Sequence, residues 1–404
     1  MDKTAVVAGH ICLDIIPEFS SQDKGQTILR PGGLYNVESP KFTTGGAVPN
    51  TGLALHRLGF PVNLLGKISQ DMFGNEIQGI LKREDESLCN HMIIDSSSST
   101  SYTVVINPPG TDRIFLHNAG ANDTFNSSDI DDSHLQNVSL FHFGYPPLMK
   151  RMYERNGVEL STIFKRLKSI GITTSLDMAL PDPASESGKI DWKELLENVL
   201  PYVDIFLPSL EELLFMIDRC LLENLKKKER EMGQPMQYFV GQDILESLSK
   251  QLLNYGVAIV VIKLGESGLY VRTQSEKNRF SSLSKSITHV EDWIGREMMV
   301  PCYKVESVGA TGAGDSTIAG FLGGLLKGLP LKEIVNYACA VGAYCVEAVD
   351  ATSNIPSWEE LDKRVSSDWG RMNPVIKKDK FNFESGIFYG PNDSLDPSEG
   401  GPKL

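Results

Sequence analysis

An α/β fold, with a mostly parallel sheet covered by helices on both faces and a small β lid beside it, is what this chain of 404 residues predicts. Three observations carry that expectation. Short apolar runs at residues 138–143, 172–176, 203–207 and 257–262 alternate with segments of helical period, the pattern of a parallel sheet. A fifth run, residues 5–9, ends in a glycine near the start of the chain. The segments 25–45, 101–106 and 113–117 instead read as short strands, the last two joined by a hairpin.

Taken in order, the first strand ends at Gly9 and Asp14 follows shortly after. Open α/β sheets bind ligands off the carboxyl ends of their strands, so Asp14 is a candidate ligand contact; the plain alternative is a turn or capping aspartate. Next comes Gly45-Gly46-Ala47-Val48-Pro49-Asn50, then a helical face of Leu53, Ala54, Leu55 and Leu58 stopped by Gly59. The paired glycines admit close approach to a ligand, and Asn50 can both donate and accept. Residues 107–112 connect the two later lid strands as a hairpin, and Arg113 is the cation on them, a substrate contact or a solvated edge charge.

Asp177 ends a later strand, and Pro208-Ser209-Leu210-Glu211-Glu212 follows the next one. Acidic residues in a first helical turn are favoured by the helix dipole without any ligand. The mixed charge run Lys226-Lys227-Lys228-Glu229-Arg230-Glu231 reads as a solvated helix end or loop. A helix over 243–255 resumes the alternation. Residues 263–271 then form a strand, a turn carrying Gly265 and Gly268, and a second strand, with Lys263 at the turn.

The stretch Val308-Gly309-Ala310-Thr311-Gly312-Ala313-Gly314-Asp315 opens a helix. The unpaired N–H groups at a helix start, with the positive end of its dipole, suit an anion such as phosphate. Asp315 sits at the mouth of that site. A carboxylate has little reason to bind phosphate there, but good reason to take a proton from a hydroxyl attacking one.

Gly312-Ala313-Gly314-Asp315 and the small-residue helix after it resemble the second signature of the PfkB/ribokinase family of carbohydrate kinases. The resemblance extends over roughly residues 4–360, through Gly45-Gly46…Asn50, residues 66–74 and Gly120-Ala121-Asn122. It implies a ribokinase-like fold. Asp315 is then the catalytic base, and the backbone of Gly312, Ala313 and Gly314 is the anion hole. Asp14, Gly45, Gly46, Asn50 and Arg113 hold the substrate. Lys263, Gly265, Gly268, Thr311 and Ser209 attend the nucleotide, and Glu212 attends Mg²⁺. ATP and Mg²⁺ follow from the same likeness, together with a monovalent cation at the loop and homodimers paired through the lid. The chain departs from the family pattern at Gly309 and Ala310, where Asp and Thr are usual, and at Ser209, where Asn is usual. The corresponding layout is a kinase domain over 1–24, 46–100 and 119–360, a lid over 25–45 and 101–118, and a C-terminal extension over 361–404 that reads as an extended or disordered tail.

Composition narrows the partners. Net charge is −13, which argues against nucleic acid or an anionic membrane as partner. No apolar run approaches the ~20 residues that span a bilayer. Six scattered cysteines without a C-x-x-C pair point to reduced thiols and a cytoplasmic setting. The reading is an ATP-dependent kinase acting on a primary hydroxyl of a sugar or sugar-like substrate. A nucleoside kinase of the same fold and a non-catalytic sugar- or nucleotide-binding protein are the alternatives. A dinucleotide oxidoreductase fits poorly, because a carboxylate would face the pyrophosphate, and no P-loop motif occurs.

Overall fold

The computed structural model describes residues 3–19, 32–107, 114–283, 287 and 290–394. In chain order its strands are β1 (Thr4–Gly9), β2 (Cys12–Ile16), β3 (Lys41–Gly45), β4 (Val62–Leu65), β5 (Lys67–Ile68), β6 (Ile93–Ile94), β7 (Tyr102–Ile106) and β8 (Ile114–Asn118). They continue with β9 (Val138–Gly144), β10 (Thr173–Leu176), β11 (Ile205–Phe206), β12 (Ile259–Lys263), β13 (Leu269–Thr273), β14 (Glu297–Val300), β15 (Asn382–Glu384) and β16 (Ile387–Tyr389). Ten of these form one sheet in the order β15-β16-β14-β13-β12-β11-β10-β9-β1-β4. From β4 to β12 all neighbours are parallel; beyond β12 they are antiparallel.

Strand β1 shows why the parallel half is so apolar. Ala5 and Val7 pack into the core on one face, and Val6 and Ala8 into the core on the other. Both faces are covered, so successive side chains must all be apolar. One core takes in the helices Ala47–Arg57, Ala313–Leu326 and Leu331–Val346; the other takes in Val158–Ser169, Trp192–Val199 and Gln242–Asn254. Helical periodicity was therefore a sound guide where apolar stripes were long. The charge run at 226–231 also proves helical, within Arg219–Met232, whose Leu222 and Leu225 are buried.

The lid is a separate sheet of order β3-β2-β7-β8. It recruits β2, so Asp14 lies within a lid strand, opposite Thr43 of β3 and Thr103 of β7, rather than in a turn after β1. Strand β8 is exposed along its whole length, including Ile114, Phe115 and Leu116. Among the described residues no helix is long and apolar enough to cross a membrane. None of the six cysteines forms a disulfide.

The C-terminal extension differs from the extended or disordered tail that the sequence suggested. Residues 366–394 fold back onto the α/β body, and β15 and β16 form a hairpin that adds to the sheet beside β14. Its turn, Ser385-Gly386, has positive φ at both residues (50° and 82°), the geometry that matches strand twist. A buried ion pair fixes the end: Arg296 Nε lies 3.1 Å from Asp393, and both side chains are at most 2% exposed. Glu297 accepts from the Asn392 backbone N–H and side chain and from Tyr270, each at 2.8–2.9 Å. The partners lie nearly a hundred residues apart in sequence, so no local pattern announces them.

Candidate active site

The site forms where the parallel strands end. Gly9, Gly144, Leu176, Phe206 and Lys263 close their strands along one edge of the sheet. The helix Ala313–Leu326 begins beside that edge. Its capping residue, Gly312, has φ 75°, and a β-carbon there would lie 2.3 Å from that of Ala351. Only glycine fits both the left-handed backbone and the contact. Ser316 N–H already bonds Gly312 O at 2.8 Å. Gly314 and Asp315, just before it in the first turn, have no acceptor within the helix, as is usual for the first N–H groups of a helix.

Asp315 is 3% exposed and held from two sides. Asn50 Nδ2 donates to its Oδ2 at 3.0 Å, and the Tyr145 hydroxyl reaches both carboxylate oxygens, at 2.9 and 2.8 Å. Burial pushes the Asp315 carboxyl above its ordinary range; Lys263 and the hydrogen bonds from Asn50 and Tyr145 pull it back. Asn50, expected beside a substrate, thus also links that half of the site to Asp315.

Tyr145 was not found from the sequence. It follows β9 directly and precedes Pro146, with φ 64° and ψ 42°. A non-glycine residue in the left-handed region is costly and tends to persist where function requires its side chain position. Here the strain directs the hydroxyl onto Asp315.

The lid side brings together Asp14, Gly45, Gly46 and a second residue missed from sequence, His10. A β-carbon on Gly45 would fall 2.4 Å from Asp14 Oδ2, and one on Gly46 2.5 Å from His10 Nδ1, so the two glycines are what let these side chains approach. Cys12 Sγ donates to Asp14 Oδ1 at 3.3 Å. Burial raises the Asp14 carboxyl to about 6, with hydrogen bonds from Cys12 and Thr103 opposing. His10 is 2% exposed, and neither ring nitrogen has a partner among the described residues. Burial, then the neighbouring His117, lowers its pKa to about 3, so it stays neutral. Its ring centroid lies 5.1 Å from that of His117 on β8 and 6.3 Å from that of Tyr145. Arg113, expected to contact substrate, lies outside the described residues.

On the other side of Asp315 opens a cavity of about 270 Å³. Lys263, Gly265, Gly268, Ala313 and Gly314 are among its lining residues. Gly268 adopts φ 95° and sits so close to Val300 O that a β-carbon would reach 1.9 Å. Lys263 Nζ pairs with Asp177 Oδ1 at 2.6 Å and lies over Gly314. Burial pushes Asp177 well above the usual carboxylate range; Lys263 opposes this, while Glu212 and Asp315 add to it. Burial also lowers Lys263, but the charges of Asp177 and Glu212 outweigh it and the net shift is upward.

Ser209 and Glu212 are occupied differently from the expectation. They form a capping box: Ser209 N–H donates to Glu212 Oε2 at 2.6 Å, and Glu212 N–H to Ser209 Oγ at 3.3 Å. The Ser209 hydroxyl therefore caps its helix, and neither it nor Thr311 is among the residues lining the cavity. Among the described residues no three His, Cys, Asp or Glu side chains cluster to cage a metal.

A buried carboxylate thus stands at a glycine-capped helix start whose Gly314 lines the 270 Å³ cavity. Solved structures share the fold. Arabidopsis thaliana ribokinase, complexed with ribose and ATP, matches with a TM-score of 0.69 at 18% identity, over 91% of this chain and all of that one (100%). A nucleoside kinase from Methanocaldococcus jannaschii matches with a TM-score of 0.60 at 19% identity, over 90% of this chain and 98% of that one. In sequence the chain is similar to the ribokinase of Schizosaccharomyces pombe, 23% identical over 352 residues, 83% of this chain and 92% of that protein. Residues 2–358 match the pfkB family carbohydrate kinase description, and the chain belongs to this family.

Proposed function

We propose that this kinase transfers the γ-phosphoryl group of ATP to a primary hydroxyl of a sugar or sugar-like polyol. The observation that carries the reading is the Asp315 carboxyl, buried at the helix start and gripped by Asn50 and Tyr145. Asp315 accepts the proton of the attacking hydroxyl, and the two hydrogen bonds aim its free lone pairs at that proton. The N–H groups of Gly314 and Asp315 steady the oxygens of the transferring group, and Lys263 adds positive charge beside them. Asp14 and the neutral imidazole of His10 hold hydroxyls, since His10 leaves a donor and an acceptor to be satisfied by a ligand. The lid closes over the acceptor and keeps water from being phosphorylated in its place.

The residues present fit a magnesium nucleotide. Asp177, Glu212 and Asp315 all act on the ammonium of Lys263, and Asp177 Oδ2 has no partner among the described residues, so the cluster holds more carboxyl groups than cations and leaves an oxygen for a further cation. Mg²⁺ held by few carboxylates, several waters and the phosphates suits such a site. Glu212 and Asp177 are the residues to attend it, and when bound the ion neutralises charge on the phosphates. The departures at Gly309 and Ala310 leave the monovalent cation without a further supporting observation. The exposed apolar side chains of Ile114, Phe115, Leu116 and Phe42 support pairing of two lids in a homodimer.

A nucleoside acceptor is the second reading, favoured by the rings of His10, His117 and Tyr145, which offer a face for a base. A panel of sugars and nucleosides, read by ADP release, separates the two. Asp315→Asn should bind ATP and acceptor but lose turnover by about three orders of magnitude or more. Normal turnover in that variant would refute Asp315 as base.

A further inference from the structure

Resting on the reading that the 270 Å³ cavity receives the nucleotide, we propose that the C-terminal segment around Trp369–Met372 is part of the nucleotide site. Met372 forms a wall for the nucleobase, and Trp369 and Arg371 position Tyr303 beside it. This segment lies beyond the region that matches the family, which ends at residue 358.

The cavity is asymmetric. Lys263 and Gly314 meet at one part of its lining, and Met372 adjoins Cys302 and Tyr303 at another, with Val305 and Cys339 also apolar in the lining. A ligand with an anionic terminus and a flat apolar terminus matches that shape, which describes a nucleoside triphosphate with its base at the Met372 end. The segment reaches this end through a single antiparallel β-bridge. Lys304 N–H donates to Gly370 O and Met372 N–H to Cys302 O, each at 2.8 Å, with Tyr303 and Arg371 bridged antiparallel.

Tyr303 is 4% exposed and held between two side chains of the segment. The Trp369 ring stacks on it at 4.2 Å with an interplanar angle of 27°. The Arg371 guanidinium lies over the same ring at 3.5 Å and also donates to Tyr303 OH and Pro301 O, each at 2.7 Å. Trp369 Nε1–H donates to Lys304 O at 2.9 Å. With both faces of its ring covered, Tyr303 offers only a fixed edge to the cavity, and it braces the wall where a base packs against Met372 without a free side chain having to be ordered.

The test is a split between KM and kcat. Met372→Ala should raise KM for ATP about tenfold, the factor given by ~1.4 kcal/mol of lost contact, with the change falling on KM rather than on kcat. Met372→Leu, similar in volume, should restore most of the affinity. Arg371→Ala should raise KM for ATP in the same direction while KM for the acceptor stays. ADP titration calorimetry reads the same affinities without turnover and exposes any variant that has unfolded. If wild type binds ADP and Met372→Ala binds it equally well, this proposal is overturned while the kinase reading stands. If wild type binds no adenine nucleotide, both fall.

Discussion

Tyr145→Phe removes one hydroxyl and leaves the ring, so it tests the environment of Asp315 with little change in shape. The lost group donates to both carboxylate oxygens, at 2.9 and 2.8 Å. A hydrogen bond to a charged group is worth about 1.5–3 kcal/mol. Its loss disfavours the ionised form of Asp315, which burial already disfavours. The sign follows: the base must be ionised to take a proton, so the acid limb of kcat/KM moves to higher pH. One pH unit corresponds to ~1.4 kcal/mol, so the limb should move by about one unit or more. Below the limb, kcat/KM should fall roughly ten- to hundredfold. Well above it, Asp315 is ionised in both proteins and the loss should be smaller. A pH series of kcat/KM, with ADP affinity measured beside it, reads both effects. An acid limb that stays in place, or moves to lower pH, would refute Tyr145 as a donor to the base.

Three further outcomes are expected. His10→Phe keeps a ring but deletes two unpartnered nitrogens, so KM for the acceptor should rise about tenfold while ADP affinity holds; equal acceptor KM in steady-state assays would remove His10 from the pocket. Gly312→Ala places a non-glycine residue at φ 75° and a β-carbon 2.3 Å from Ala351, which costs at least ~1–2 kcal/mol for the backbone alone; a lowered thermal midpoint and weaker nucleotide binding should result. Acid should destabilise the fold through His10 and His142, both lowered by burial to about 3. Their contribution is present above the unfolded value near 6.5 and is lost as pH falls from there towards 3, by ~1.4 kcal/mol per unit for each. Asp14, raised to about 6, opposes this between about 6 and 3.8. Urea midpoints against pH should therefore flatten in His142→Gln, and an unchanged slope would contradict the buried neutral imidazole.

Long apolar runs and helical stripes made the parallel half of the sheet legible, because burial on both faces leaves a strand such as β1 no polar position. The Gly312–Asp315 turn was legible for a different reason: glycines there answer a local demand for left-handed backbone, and helix starts have a fixed chemistry. Tyr145 was hidden because its role depends on a backbone angle, and two following prolines announce only a turn. His10 was hidden because a lone histidine after a strand reads as core until its neighbours are known. Lys263 and Glu212 could be named as candidates and Asp177 only as a strand end, and their mutual charge depends on three strand ends meeting. The extension was least legible. Its strands are three residues each, and its anchors, Arg296 and Glu297, lie far upstream.

Strand β8 has one further consequence. Its five residues are exposed, although His117 already reaches Thr103 and the His10 ring, so on the proposal that two lids pair, an acceptor entering beneath and a second chain docking outside would order the same short ribbon. Whichever arrives first lowers the entropy that the other must still remove. By reciprocity the two equilibria shift each other by one common factor. Acceptor affinity measured in dilute solution would then be weaker than in concentrated solution, and the clamp over a small molecule would double as a gauge of how much enzyme is present.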